Sequence, residues 1–204
     1  MDDYYQQYAQ EYFAATVNVD PAPFLQPLAR RLPPGAAVLD VGCGSGRDLR
    51  WLAERGFKLT GFELVPGLAA RARAHAGCPV IVGDFRRFNF AALDFDALLS
   101  VGSLVHLGRE EFPGVFRSIC RALVPGGLAL ITMKEGHGTR TAADGRVFTL
   151  WSPPELEKIF AAAGFAVAYF SRDRSLVNTD DVWLTYVLRE KTAPPVPGGG
   201  DGLP

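Results

Sequence analysis

The sequence predicts a doubly wound α/β domain: a seven-stranded sheet, mostly parallel, with an antiparallel edge strand and helices on both faces. Three observations carry this reading. Short apolar runs alternate with helical patterns from about residue 36 to residue 164. The runs are apolar residue after residue, as in strands covered on both faces, rather than on alternate positions. A glycine-rich turn closes the first run and opens a helix, where a doubly wound sheet places its ligand.

Residues 1–19 are expected to form a helical cap or lid ahead of the sheet. Tyr4, Tyr5, Tyr8, Tyr12 and Phe13 recur there at helical spacing and make one aromatic face over residues 2–15. Residues 20–191 are expected to form the domain proper. Asp20 and Pro21 read as a cap and first-turn proline of a helix ending near Leu32, before Pro33-Pro34-Gly35. A strand over 36–42 leads into a helix over 47–55 that stops at Gly56. A strand over 57–64, a helix over 66–75 and strands over 79–84 and 95–101 follow. A helix over 109–123 and a strand over 127–134 come next. Ser152 then caps a helix with Pro153 and Pro154 in its first turn and Gly164 as its stop. Strands over 165–171 and 181–190 complete the sheet. No helix separates these two, so one is expected to lie antiparallel at an edge. Trp183, on the last strand, is expected in the core. Residues 192–204 are rich in proline and glycine and are expected to be disordered.

Composition narrows the functional classes. The chain has 204 residues, 48% of them hydrophobic, with 21 basic and 22 acidic residues and a net charge of −1. Such a balance supplies no overall field toward nucleic acid or an anionic membrane. Cys43, Cys78 and Cys120 are odd in number and widely spaced, which suggests neither a disulfide framework nor a zinc site. The polar, acidic start is unlike a secretory signal, and no apolar run reaches the roughly 18 residues of a membrane span. The protein is expected in the cytoplasm, as a monomer or homodimer, and no metal is expected.

The glycine turn, in Val38–Asp48 (VLDVGCGSGRD), separates two cofactor classes. A dinucleotide site asks for G-x-G-x-x-G, but Arg47 stands at the sixth position and the glycine falls one early, at Gly46. Asp40, two residues before Gly42, would repel a pyrophosphate. It suits S-adenosylmethionine, which carries a sulfonium and an ammonium and no phosphate. No Gly-Lys-Ser/Thr follows, so the turn is not a phosphate-binding P-loop.

D-V-G-C-G-S-G resembles the first motif of class I S-adenosylmethionine-dependent methyltransferases, and further motifs follow in order. The resemblance implies a Rossmann-like sheet and assigns roles. Asp40, Gly42, Cys43, Gly44 and Gly46 shape the methionine pocket. Glu63, ending the second strand beside Leu64, takes the ribose hydroxyls. Gly83-Asp84-Phe85 matches the loop in which the acid receives the adenine amine and the apolar neighbour stacks on the ring. FDALLSVGSLVHL resembles the fourth strand and its exit loop, which brings Ser100 to the cofactor and Ser103 and His106 toward an acceptor. LVPGGLALI resembles the turn into the fifth strand.

On the acceptor side, the segment Lys134 to Gly138 followed by Asp144-Gly145-Arg146-Val147-Phe148 is similar to the KEG…DGR-aromatic segment of a bacterial branch of the family. Tyr5…Ala9…Tyr12 resembles a tyrosine pattern that precedes the sheet in similar enzymes. His106 and Tyr12 are therefore candidate catalytic groups, for positioning or as a base. Tyr5, Tyr12, Lys134 and Arg146 are candidate substrate contacts. His106 has a second reading as a partly buried residue fixing its loop, Lys134 and Arg146 as ordinary salt-bridge partners, and His137 as solvated.

The resemblance implies methyl transfer from S-adenosylmethionine to a small-molecule acceptor by in-line displacement. Three rivals stand beside it: a non-catalytic methyltransferase-like binding or regulatory subunit, an NAD(P)-dependent oxidoreductase or epimerase, and an RNA-modifying enzyme.

Overall fold

In a computed structural model, residues 2–176 and 180–191 of the chain are described. The tail expected to be disordered lies outside them. Seven strands make the main sheet: β1 (Ala37–Val41), β2 (Lys58–Glu63), β3 (Val80–Val82), β4 (Phe95–Val101), β5 (Leu123–Lys134), β8 (Phe165–Arg174) and β9 (Val182–Glu190). Their order is β3-β2-β1-β4-β5-β9-β8, with β1 to β5 mutually parallel. β9 runs antiparallel to both β5 and β8. The antiparallel pairing thus falls at this edge as expected, with a refinement: the reversed strand is the penultimate one, and the outermost strand, β8, runs with the parallel set.

The order reverses between β1 and β4, opening a crevice at their C-terminal ends. On one face lie α3 (Ala22–Ala29), α4 (Arg47–Ala53) and α5 (Pro66–Ala76), which bury Leu25, Leu28, Leu49, Leu52, Ala69 and Ala72 against the sheet. On the other lie α6 (Phe112–Ile119) and α7 (Pro153–Ala162), whose Phe112, Phe116, Leu156 and Phe160 pack with Trp151 and Tyr186. Pro113 sits in the first turn of α6, where a missing N–H costs nothing, so the helix begins three residues later than the periodicity suggests. Ser152 and Glu155 cap α7: the Ser152 N–H and hydroxyl both donate to Glu155 Oε2, at 2.9 and 2.6 Å.

Two features go beyond the sequence reading. The N-terminal helix is kinked at Tyr8 into α1 (Asp2–Gln7) and α2 (Ala9–Thr16). Between β5 and α7 a separate hairpin forms from β6 (Thr139–Thr141) and β7 (Val147–Thr149). Among the described residues no helix is long and apolar enough to cross a membrane.

Candidate active site

The crevice between β1 and β4 is a cleft of about 670 Å³, part of it open to solvent, in the size range of small-ligand sites. Its floor is the glycine turn. Gly42, Gly44 and Gly46 take φ values of 80°, 51° and 75°, the left-handed region that glycine enters without a side-chain penalty. Gly46 also has no room for a side chain, because a Cβ there would lie 2.8 Å from Ala72 Cα on α5.

Glu63 ends β2 and reaches back across this turn. Its Oε2 accepts the Gly44 N–H at 2.9 Å and its Oε1 the Val65 N–H at 2.9 Å. Burial raises its pKa above the ordinary carboxylate value, against the pull of the N–H groups of Val65, Gly44 and Leu64. Asp40 sits one layer deeper, 1% exposed, and its Oδ2 has no hydrogen-bond partner among the described residues. Burial, with Asp48 nearby, pushes its carboxyl well above the usual range. A buried carboxyl oxygen without a donor is costly, and a cation brought beside it would remove that cost.

Of the residues singled out in the sequence, Tyr5, Tyr12, Gly42, Gly44, Glu63, Leu64, Phe85, Ser103 and His106 line the cleft together. Asp40 and Gly46 support it from behind. Cys43 packs into the core beside Gly61, where burial pushes its thiol pKa far up. Ser100 is buried beneath the cleft, its hydroxyl in a short hydrogen bond with Ser103, which also donates to the Val41 carbonyl at 2.8 Å. Asp84 turns its own loop by accepting the Arg86 N–H at 2.9 Å. Sequence reasoning missed Val65, Leu68, Arg86, Val101 and Gly102 as lining residues. The positions beside the recognised motifs would have indicated them.

The cap closes the cleft from above. Tyr12 lies against Gly44, and Tyr5 Oη hydrogen-bonds His106 Nε2 at 2.9 Å. The other ring nitrogen, Nδ1, is 2.8 Å from the Val147 carbonyl on β7. A carbonyl only accepts, so Nδ1 carries the proton and Nε2 accepts from Tyr5. Burial holds His106 down at about 4, the Val147 carbonyl opposing and Arg146 and Lys134 assisting. The ring is therefore neutral near pH 7. None of the residues of α2 is fully buried, so the cap rests on few contacts.

Lys134 and Arg146 are both engaged. Arg146 forms a two-pronged pair with Asp144 Oδ2, at 2.9 and 2.7 Å, and lies over the Tyr4 ring. Lys134 bonds Asp181 Oδ2 at 2.7 Å with both side chains buried, lies 3.6 Å from the centre of the Phe148 ring, and shares Asp181 with Arg140. This cluster ties the β6–β7 hairpin to the sheet. Asp181→Ala is expected to cost about 3–5 kcal/mol, since it strands a buried ammonium. Lys134→Met should cost less than half of that, because Asp181 keeps Arg140. Denaturant titration of both variants checks the order; equal losses would show that Arg140 does not compensate Asp181 for the missing ammonium. Among the described residues, no group of three or more His, Cys, Asp or Glu side chains is placed to hold a metal ion.

A family model described as a methyltransferase domain matches residues 38–127, which hold β1 through the turn of β5 and most of the cleft. A 24-methylenesterol C-methyltransferase of Oryza sativa is 36% identical over 103 residues, covering 47% of this chain and 28% of its own. Residues 38–127 match a methyltransferase domain.

Two solved methyltransferases share the fold. The 1,6-didemethyltoxoflavin-N1-methyltransferase of Burkholderia thailandensis has a TM-score of 0.68 at 22% identity, over 91% of this chain and 79% of that one. A TehB-like enzyme of Corynebacterium glutamicum has a TM-score of 0.64 at 24% identity, over 93% and 98%. The chain spans between 21% and 29% of the length of the first curated relatives it matches. The matches cover about half of this chain.

Proposed function

We propose that the chain transfers a methyl group from S-adenosylmethionine to a small-molecule acceptor. The observation that carries the reading is the buried acid pair around the glycine turn: Glu63 spanning it and Asp40 beneath it with an oxygen lacking a donor among the described residues. An anionic lining of this kind suits a ligand with a sulfonium and an ammonium and opposes a pyrophosphate. In this reading Asp40, Gly42, Cys43, Gly44 and Gly46 shape the pocket for the methionine part. Glu63 and Leu64 hold the ribose, Asp84 and Phe85 the adenine, and Ser100 braces the far wall. The solved toxoflavin-pathway relative, crystallised with S-adenosylhomocysteine and its substrate, is consistent with it.

When bound, the cofactor supplies an activated methyl group. The chain's own part is alignment and exclusion of water, which can be worth effective molarities of about 10⁵ to 10⁸ M. Residues 2–16 act as a lid whose tyrosines meet the acceptor, and residues 20–191 form the catalytic domain. The balanced charge supports an acceptor other than nucleic acid or a membrane surface, and we place the enzyme in the cytoplasm as a monomer or homodimer.

Calorimetric titration tests the reading. S-adenosylmethionine is expected to bind at micromolar strength and NAD(P) not at all. Binding of NAD(P) in its place would overturn the proposal. Binding of S-adenosylmethionine with no turnover of any acceptor would favour a regulatory subunit.

A further inference from the structure

The acceptor end of the cleft has an unusual polar chain. From the cleft inward it runs Tyr5 Oη, His106 Nε2, His106 Nδ1, Val147 carbonyl, with heavy-atom separations of 2.9 Å and 2.8 Å across its two hydrogen bonds. Its start and its end lie 101 and 41 residues from His106, on the cap and on the hairpin. The direction of every proton in it is fixed by the carbonyl, which can only accept. Tyr5 gives its proton to His106, and its oxygen also accepts from the Arg146 guanidinium, which leaves one lone pair to accept a proton from the cleft.

Resting on the methyltransferase reading, we infer that Tyr5 and His106 form a proton relay and that the acceptor is an uncharged, planar molecule methylated at an O–H or N–H. The new bond joins the acceptor oxygen or nitrogen to the methyl carbon, while the carbon–sulfur bond of the donor breaks and sulfur keeps the electron pair. The acceptor's proton goes to Tyr5 Oη, and the Tyr5 proton goes to His106 Nε2. The products are the methylated acceptor, the thioether, a neutral Tyr5 and an imidazolium still bonded to the Val147 carbonyl. Tyr5 is the catalytic residue, and His106 acts through it.

Charge supports the step. Tyr4 and Tyr5 from the cap, Arg146 with its partner Asp144 from the hairpin, and Lys134 from β5 are the ionisable groups around the imidazole. Burial and the two cations keep it neutral beforehand. Methyl transfer removes the positive charge of the sulfonium as the imidazolium forms, so charge is relocated within the site rather than created. The walls support the acceptor class. Tyr5 and Tyr12 meet edge to face at 5.1 Å in the lining of the cleft, a surface suited to a flat ring. Arg86, a cation lining the cleft, is turned to Glu111 at 2.7 Å, and Arg146 beside Tyr5 is already paired with Asp144, so both cations are engaged, which favours an uncharged acceptor.

The test compares two probe acceptors, 1-naphthol, which must lose a proton, and thiophenol, which is ionised at neutral pH, on wild type, Tyr5→Phe and His106→Gln. Glutamine can still accept from Tyr5 but cannot carry the proton onward, so the latch stays and the relay goes. Both variants are expected to lose about a hundredfold or more in kcat with 1-naphthol, the usual worth of general-base assistance, and at most a few-fold with thiophenol.

Equal losses on both acceptors would reduce the pair to a latch for the cap and overturn the relay. So would full activity of Tyr5→Phe on 1-naphthol, methylation of thiophenol alone, or failure to methylate either probe by protein that binds S-adenosylmethionine. Failure to bind S-adenosylmethionine at all would instead remove the reading on which the relay rests.

Discussion

Glu63→Ala is expected to weaken S-adenosylmethionine binding about ten- to a hundredfold, from the roughly 1.5–3 kcal/mol that hydrogen bonds to a charged group contribute. The same substitution orphans two buried donors, the N–H groups of Gly44 and Val65. Each costs about 1–3 kcal/mol, so the melting temperature should fall as well. The two effects separate by experiment. Calorimetry at low temperature, on protein shown by circular dichroism to be folded, reads the affinity, and denaturant titration reads the stability. A variant that melts early but binds the cofactor like wild type would show that Glu63 only shapes the turn.

The same acids give the binding a pH dependence of known sign. Burial raises Asp40 and Glu63 above the ordinary carboxylate range, so both take up protons earlier than exposed acids as pH falls. Affinity for the cationic cofactor is therefore expected to be weaker at pH 5 than at pH 8. Raised folded-state values mean that protonation of these two groups favours the folded chain, with their contribution to stability lost as pH rises through those values. Weaker binding at pH 5 would thus not arise from these acids unfolding the protein.

How far the sequence revealed this site depends on the range of each interaction. The glycine turn, Asp40 and Glu63 were legible because a strand end, a turn and a helix start are local events, each with its own residue signature. So were the paired prolines and capping serine of α7. The surroundings of His106 were not. Its partners Tyr5 and Val147 are far away in sequence, and no periodicity encodes a bond between a cap and a hairpin. The hairpin itself escaped because β6 and β7 have three residues each and β6 is wholly exposed, so neither carries an apolar alternation. Asp144-Gly145 between them was its one turn signal. Lys134 and Arg146 read as possible substrate contacts because their charges were visible while the geometry of their pairing was not; Lys134 meets Asp181 47 residues away. The reversal of β9 followed from the missing crossover helix, but its place inside β8 is a matter of tertiary pairing, which local pattern does not report.

Gly46→Ala is expected to be among the most damaging single-methyl additions in the chain. At φ 75° an alanine is strained by about 1–2 kcal/mol. Its Cβ would also meet backbone, Ala72 Cα at 2.8 Å and Ala72 O at 2.9 Å, rather than the end of a side chain able to swing away. Pushing α4 and α5 apart adds about 1–3 kcal/mol of overpacking. The sum corresponds to a fall of roughly 4 to 20 °C in melting temperature for a domain of about this size. Gly35→Ala is the control, since Gly35 has φ 74° but nothing within 4 Å of its Cβ position. It should show the strain alone, a fall of roughly 2 to 8 °C. If the two variants melt together, the contact between the glycine turn and α5 is loose, and the cleft floor is set by backbone conformation alone. If Gly46→Ala melts far earlier, close packing of the turn on α5 fixes the cleft floor. S-adenosylmethionine binding should then fall in Gly46→Ala and be unchanged in Gly35→Ala.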